Sequence, residues 1–411
     1  MPESVWTAPR IRRLSVASIL ALCAAVAISG LGGPRPSQTL REGDFPAFYA
    51  AAVIVDQGLG NRLYDSDLQR SIQNRHWPDL EGGHHYFAYP PYVAVLLSPL
   101  AHYDASRAKL IFTVAMLSFL VLSVLLTARS APLLTRRPIA SAAVVATFLP
   151  VTTAVLGGQN VSLSMLLYAG AMRSLFREGP RGEYACGLFL GLWLFKPQYA
   201  LLLIFLFLVA GAFRIVGAGA LVGAFYYLLG AWSSGLLWPG EWWSRMRPFA
   251  EQDFLVNRYQ MISIVGVSRA AGGVVGRGGD AERILAVTGT ALTLGLLVWL
   301  AALFWKAGRL RDVQMRRVEL MRLLDLAGPA LILISPHTLY YDIGLCVFPV
   351  ARYLKLESDR SITAFVALLF LIALASAYKD LFPVQPLFLV VVGCLLFISV
   401  KSLQGNDVGM G

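Results

Sequence analysis

The chain has 411 residues, 57% hydrophobic and 14% charged, with a mean hydropathy of +0.62. A soluble domain carries about 25% charged residues, so this composition excludes an ordinary cytosolic enzyme. The formal charge of +11 therefore bears first on membrane orientation, and no basic stripe with interleaved aromatics points to a nucleic-acid partner.

A helix that crosses lipid needs roughly 20 mostly apolar residues. Residues 14–31 are the first such run, preceded by Arg10, Arg12 and Arg13. A secretory leader has the same beginning, but no clean small-residue cleavage site follows and the rest is polytopic, so the run reads as a first span. Residues 32–106 read as a long outer loop with short helices. In it Asp44 precedes Pro46 as a candidate N-cap, and Tyr64-Asp65-Ser66-Asp67-Leu68 reads as a helix start rather than a metal-binding DxD pair. Gly82-Gly83-His84-His85 lacks a second ligand pair and reads as solvated loop. The prolines of 89–100 begin an apolar stretch half a span long, an interfacial or re-entrant helix.

Residues 110–128 and 139–157 are charge-free spans, closed by the turn Gly157-Gly158-Gln159-Asn160. Residues 161–176 follow, with Arg173 near their end. The run 184–213 would reach about 45 Å as one helix; Lys196 and Pro197 near its middle split it into two short spans. Residues 215–240 form another span, and 238–282 a second outer loop carrying Asn257, Arg258 and Gln260. Residues 284–305 span again. The run 323–351 divides at Ser335-Pro336-His337, with Asp342 just beyond, and 361–378 and 381–400 complete about twelve spans. Residues 402–411 read as a disordered tail. The expected fold is thus an all-α polytopic membrane bundle, one integral domain over 1–411, with two long outer-face loops.

With both termini inside, the inner segments hold 20 basic residues in about 75 positions, against 10 in the 120 positions of the two outer loops. That is the positive-inside pattern. The four cysteines fall in spans, so none is placed for an outer-loop disulfide, and no metal spacing exists among them. No internal repeat is visible, which weakens an inverted-repeat transporter.

This topology puts the unusual polar groups together at the outer face, where ionisable groups at membrane depth signal function. Asp44, flanked by aromatics, is either a helix cap or a desolvated base. Lys196 is either a snorkelling lysine or a phosphate ligand. His337 is either an interface histidine or a proton relay or phosphate donor. Asp342 can pair with either of the last two. Gln159 and Asn160 can hold sugar hydroxyls or simply make a turn.

Several of these pieces, in order, resemble glycosyltransferase family 87: Asp44-Phe45 with Phe48-Tyr49-Ala50-Ala51-Ala52 and Leu63-Tyr64-Asp65, then Phe87-Ala88-Tyr89-Pro90-Pro91, Gly158-Gln159-Asn160, Gly187 to Gly191 leading into Lys196-Pro197, and Ser335-Pro336-His337-Thr338 through Tyr341-Asp342. The resemblance implies a GT-C type membrane enzyme of the bacterial envelope that moves mannose from a polyprenyl-phosphate donor. It implies Asp44 as base on an acceptor hydroxyl and Lys196 and His337 near the donor phosphate, with Arg258 held beside them. Tyr49, Tyr89, Gln159, Asn160, Gln260 and Asp342 follow as sugar or acceptor contacts. The stretch from Asn257 to Ser263 departs from the family's Asn-Gln-Ser-rich form.

The implied reaction is a single displacement with inversion, the phosphate leaving on its lipid, with neither metal nor nucleotide as cofactor. The implied partners are a polyprenyl-phosphate sugar, a lipid or glycan acceptor, and membrane lipids. The implied location is the bacterial plasma (inner) membrane, with the active site facing the periplasm. A transporter or flippase of lipid-linked sugars, or a non-catalytic subunit of envelope-polymer assembly, would share the spans. A transporter would place charges near the midplane and on both sides of it.

Overall fold

The charge-free run 110–128 lies in a 24-residue helix, Ala105–Ala128. Ala108, Phe112, Met116, Leu120 and Val124 are buried at four-residue spacing, while Leu110, Val114, Leu117, Val121 and Leu125 are exposed on the other side. A helix apolar on its exposed face as well as its buried one is built for lipid. Three helices in this computed structural model are long and apolar enough to cross a membrane: Ala105–Thr127, Phe213–Ser234 and Asp280–Gly308. The structure describes residues 43–78, 85–128, 131, 148–275, 279–354, 367–369, 371–376 and 382–403. The expected span 14–31, residues 139–147 of the span 139–157, residues 361–366, 370 and 377–378 of the span 361–378, and the tail from 404 lie outside them, as do Gly82, Gly83 and His84.

Among the described residues the regular elements are all helical. In chain order they are α1 Phe45–Asp56, α2 Ser66–His76, α3 Pro91–Leu97, α4 Ala105–Ala128, α5 Leu149–Leu156, α6 Val161–Leu175, α7 Pro180–Leu192, α8 Pro197–Val209, α9 Phe213–Ser234, α10 Trp238–Asn257, α11 Ile264–Val275, α12 Asp280–Gly308, α13 Val313–Ile334, α14 Val347–Tyr353 and α15 Leu387–Leu403. Short 3₁₀ turns link several of them, notably Trp193–Phe195, Arg258–Gln260 and Tyr340–Cys346. Helix α6 packs on α4 and α7, α7 on α9, α12 on α11 and α13, and α13 on α15; α1 lies against α2 and α3.

Three expectations from sequence are met and one is revised. The break at Lys196-Pro197 is real, separating α7 from α8. The break after Ile334 is real as well. The proline-led stretch from Pro91 is a seven-residue helix followed by a 3₁₀ turn, too short to cross. The halves of the Lys196 break are shorter than two spans require: α7 and α8 have 13 residues each, about 20 Å of helix against a core of about 30 Å. The second long loop, 238–282, is largely helical, made of α10 and α11.

Among the described residues, the turns expected outside meet at one end of the bundle, and the segments 173–183, 214 and 306–325, expected inside, meet at the other. At the second end Arg317 lies 3.6 Å from Glu178, Gln314 donates to Glu178 at 3.0 Å, Arg214 to Glu183 at 3.1 Å, and Arg316 to the carbonyl of Ala210 at 2.9 Å. Arg352, counted from sequence among the inner-loop charges, is instead buried. Its guanidinium reaches both oxygens of Asp325 at 2.7 and 2.6 Å, and Tyr353 donates to the same carboxylate at 3.1 Å. A charge taken out of water needs such a partner.

Candidate functional site

Two turns interlock at the first end. Helix α5 ends in a Schellman-type turn, with Gly158 at φ +76, its N–H on Val155 O and that of Gln159 on Ala154 O. The carbonyl of Gly157 then accepts the N–H of Asp44 at 2.9 Å. The approach is so close that a Cβ on Gly158 would sit 2.6 Å from Phe45 Cβ. Gly43, at φ +44, leads the chain into this contact. Only glycine adopts such backbone at no steric cost.

Asp44 occupies the N-cap position of α1, yet its carboxylate makes no capping bond. It accepts a hydrogen bond from the side-chain amide of Gln159 instead. Its side chain is 44% exposed, so water reaches it, but protein crowds its other sides. That burial is the largest influence on its acidity and raises its pKa; His85, the Gln159 bond and His337 pull it down, Asp253 pushes it up, and the balance lies above the ordinary carboxylate value. His85 Nδ1 lies 4.0 Å from Asp44 Oδ1. Two fully buried glutamines of α2 hold this strand-like segment: Gln73 clamps the backbone of His85 with bonds of 2.7 and 2.8 Å, and Gln69 accepts from Phe87 N at 3.0 Å.

Asn160 follows Gln159, and its side-chain oxygen accepts from the Tyr89 hydroxyl at 3.4 Å. Tyr89 is held by Tyr64, which donates to its carbonyl at 2.8 Å, and by packing on Phe48 at 5.2 Å. Burial raises the pKa of Tyr89, and Asp44 and Asp342 add to that rise; the phenol remains a neutral donor. Tyr49 is turned elsewhere. Its hydroxyl donates to the carbonyl of Tyr103 at 2.9 Å, so the structure does not bring it to Asp44.

Lys196 stands where it does because of Pro197. The residue before a proline avoids helical backbone, and Lys196 has φ −116 and ψ 79. Its ammonium lies 3.1 Å from Asp342 Oδ1, with both side chains almost fully buried. The other Asp342 oxygen accepts from Leu339 N at 3.0 Å. Of the pairings open to Asp342 from sequence, the structure shows the one with Lys196. Lys196 is therefore a neutralised cation rather than a lone one, and removing either partner of such a pair costs about 3–5 kcal/mol.

Ser335 is extended, as expected before Pro336, and the chain turns to present His337. Its Nδ1 lies 3.0 Å from Asp253 Oδ2 on α10. Asn257, one turn later on α10, donates to the other Asp253 oxygen at 2.8 Å. The strip that follows α10 is stitched to the strip that holds His337: Ile262 N donates to Thr338 O at 3.0 Å, Ser263 Oγ to Pro336 O at 3.1 Å, and Met261 bridges Leu339. Arg258 sits in the 3₁₀ turn after α10, stacked on Tyr259 at 4.6 Å, its Nε buried without a partner. Gln260 closes the same turn.

Burial alone would lower the pKa of His337. The contact with Asp253 overcomes this, Asp342 adds to it, Lys196 opposes it, and the net lies above the ordinary histidine value. The charge of His337 is felt at Asp44, and that of Asp342 at Tyr89. Asp44, Gln159, Asn160, Tyr89, Lys196, Asp342 and His337 thus form one electrostatic neighbourhood.

Sequence reasoning missed Asp253 and His85. A helical reading of 238–257 would have placed Asp253 and Asn257 one turn apart on one face. For His85 the available signal was the pair Gln69 and Gln73 at helical spacing. Asp65, weighed against metal binding, accepts the N–H groups of Asp67 and Leu68 and the Arg62 guanidinium, a helix cap as expected. Among the described residues no group of three His, Cys, Asp or Glu gathers as a metal site would.

A carboxylate, two side-chain amides and a histidine gather at one end of an apolar helical bundle, an arrangement that fits a membrane protein with a polar cluster at that end. The chain belongs to glycosyltransferase family 87, whose profile matches residues 87–336. It is therefore a membrane glycosyltransferase, with a sugar donor and an acceptor. The match begins after Asp44 and ends one residue before His337, so those two positions rest on the geometry above. No curated protein and no solved structure matches the chain at a significant level.

Proposed function

We propose that the enzyme transfers a hexose, mannose by resemblance, from a polyprenyl phosphate to a hydroxyl of a lipid or glycan acceptor at the outer face of the bacterial plasma membrane. The chain would cross the membrane repeatedly, with both termini in the cytoplasm. Asp44 is the general base, and the sugar carbon inverts in a single displacement. His337 and Arg258 supply the positive side of the donor phosphate site, with Lys196 beside them as a hydrogen-bond donor whose charge Asp342 balances, and Tyr89, Asn160, Gln260 and Asp342 form the polar surround of the sugar. Neither metal nor nucleotide is needed, because the phosphate leaves on its lipid beside these cations.

The observation that carries this reading is the Asp44 carboxylate. It stands at a helix cap yet is turned away from capping, held by Gln159 with the His85 imidazole 4.0 Å away. A cap gains about 1 kcal/mol from its bond to the helix, and forgoing it makes sense if the carboxylate serves another purpose. A transporter of the same lipid needs no base at this point.

The test is transfer of labelled mannose from polyprenyl-phosphate-mannose into host lipid extract by the purified protein in vesicles. Asp44→Asn is expected to lose about 10²–10⁴-fold in rate, the usual worth of a general base. Full transfer by a well-expressed Asp44→Asn protein would remove the base from the mechanism.

A further inference from the structure

The second long segment supplies a charged partner for the histidine of the site, and resting on the function just proposed, we propose that Asp253 is the positioning residue that fixes His337 as a hydrogen-bond donor to the departing phosphate. Asp253 lies on α10, far along the chain from His337, and its side chain is only 10% exposed. One of its oxygens is taken by Asn257; the other, buried and without an aligned hydrogen-bond donor, lies at ion-pair distance, 3.0 Å, from His337 Nδ1. A carboxylate on one ring nitrogen sets the tautomer and the plane of the ring. The opposite nitrogen, Nε2, is the one the proposal assigns to the departing phosphate. The His337 side chain is 41% exposed, and its charge reaches Asp44, so it fronts the same recess as the base. The bridge of Met261 to Leu339 and the bond of Ile262 to Thr338 lock the two strips in register, so the pair depends on two elements and not on one flexible loop.

The role follows from the charge balance of the transfer. The acceptor hydroxyl gives its proton to Asp44 while its oxygen forms the new bond to the sugar carbon. The bond from that carbon to the phosphate oxygen breaks, and its electron pair leaves on the phosphate, which gains one negative charge. An imidazolium with Nε2–H aimed at that oxygen stabilises the product side more than the reactant side, which is the condition for raising the rate. The charged groups facing His337 are Asp253, Asp342 and Lys196, with Asp44 across the recess. Lys196 and Asp342 largely cancel as a pair, which leaves Asp253 as the group that keeps His337 protonated.

The test is Asp253→Asn, which preserves size and one acceptor but removes the charge, in the vesicle transfer assay with polyprenyl-phosphate-mannose. We expect kcat to fall on the order of 10–100-fold, as when an orienting partner of a functional histidine is lost. The donor KM should change much less. Activity requires protonated His337, so loss of Asp253 lowers its pKa and moves the alkaline limb of the rate profile to lower pH; Asp253→Glu should restore much of both. Ring-¹⁵N-histidine NMR, with His337→Gln assigning the signal, should show the His337 titration midpoint falling in Asp253→Asn whether or not the variant is active. An Asp253→Asn enzyme with wild-type kcat and alkaline limb, or a His337 midpoint that does not move, overturns the proposal. Wild-type protein that moves no sugar from this donor overturns the proposed function instead, and the positioning role falls with it.

Discussion

At the scale of single residues, Gln159 would decide how good a base Asp44 is in the proposed transfer. Its amide bond favours the ionised carboxylate while burial opposes it. Asp44 works only when ionised, and its raised pKa means that activity fades as pH falls through a value above the ordinary carboxylate range. Gln159→Leu removes the bond that lowers this pKa, so the acidic limb should move to higher pH. The rate at its optimum should fall roughly 10–100-fold, since a hydrogen bond to a charged group is worth about 1.5–3 kcal/mol. A pH–rate profile identical to wild type would show that Gln159 only shapes the turn. Asp44, Lys196 and His337 were legible in the sequence because a charge beside proline or glycine in an apolar stretch has few ordinary explanations. Their partners were less so. That Asp342 faces Lys196 and not His337, that Asp253 faces His337, and that Tyr49 turns to Tyr103 depend on side-chain directions that only packing sets.

At the scale of elements, the site is assembled by turns rather than by helices. Lys196 is placed by Pro197, His337 by Pro336, and Asp44 by the interlock of its turn with the end of α5. Gly158→Ala tests that interlock. The new Cβ would lie 2.6 Å from Phe45 Cβ at a φ of +76, where an L side chain costs about 1–3 kcal/mol. The variant should lower the thermal midpoint and lose most of its transfer activity, measured by detergent-solubilised unfolding and by the vesicle assay; wild-type values in both would mean that the turns move apart freely. Breaks of this kind are readable because proline and glycine act locally. The helical content of 238–282 was not readable the same way. Helix α10 mixes Trp, Arg and Glu on all sides and carries Pro248 inside, so neither its periodicity nor its polarity marks it as a helix. Only its contacts, such as Trp242 donating to Ala88 O at 3.1 Å and Phe249 stacked on Tyr86 at 5.4 Å, account for it.

At the scale of the whole molecule, the division into two polar ends is the property from which the mechanism draws its logic. A lipid-borne phosphate can meet Asp44 and His337 only if they share a leaflet, and the structure gathers them at one end while Glu178, Arg214, Arg316 and Arg317 gather at the other. Helix α12 alone, with 29 residues, extends about 44 Å, more than the apolar core of a bilayer, so the two ends can face different compartments. By the positive-inside rule the proposed topology puts the second end in the cytoplasm. That assignment gives a direct expectation. In a background with Cys23, Cys186, Cys346 and Cys394 replaced, Ser71→Cys on the exposed side of α2 should react with a membrane-impermeant maleimide in sealed right-side-out vesicles. Arg311→Cys, exposed before α13, should react only after the vesicles are opened. Labelling of both from one side would place the base and the basic end in the same compartment, and the reversed pattern would put Asp44 against the cytoplasmic leaflet. There the enzyme would have to meet a donor whose sugar faces inward, and the outer-face reaction would have no substrate.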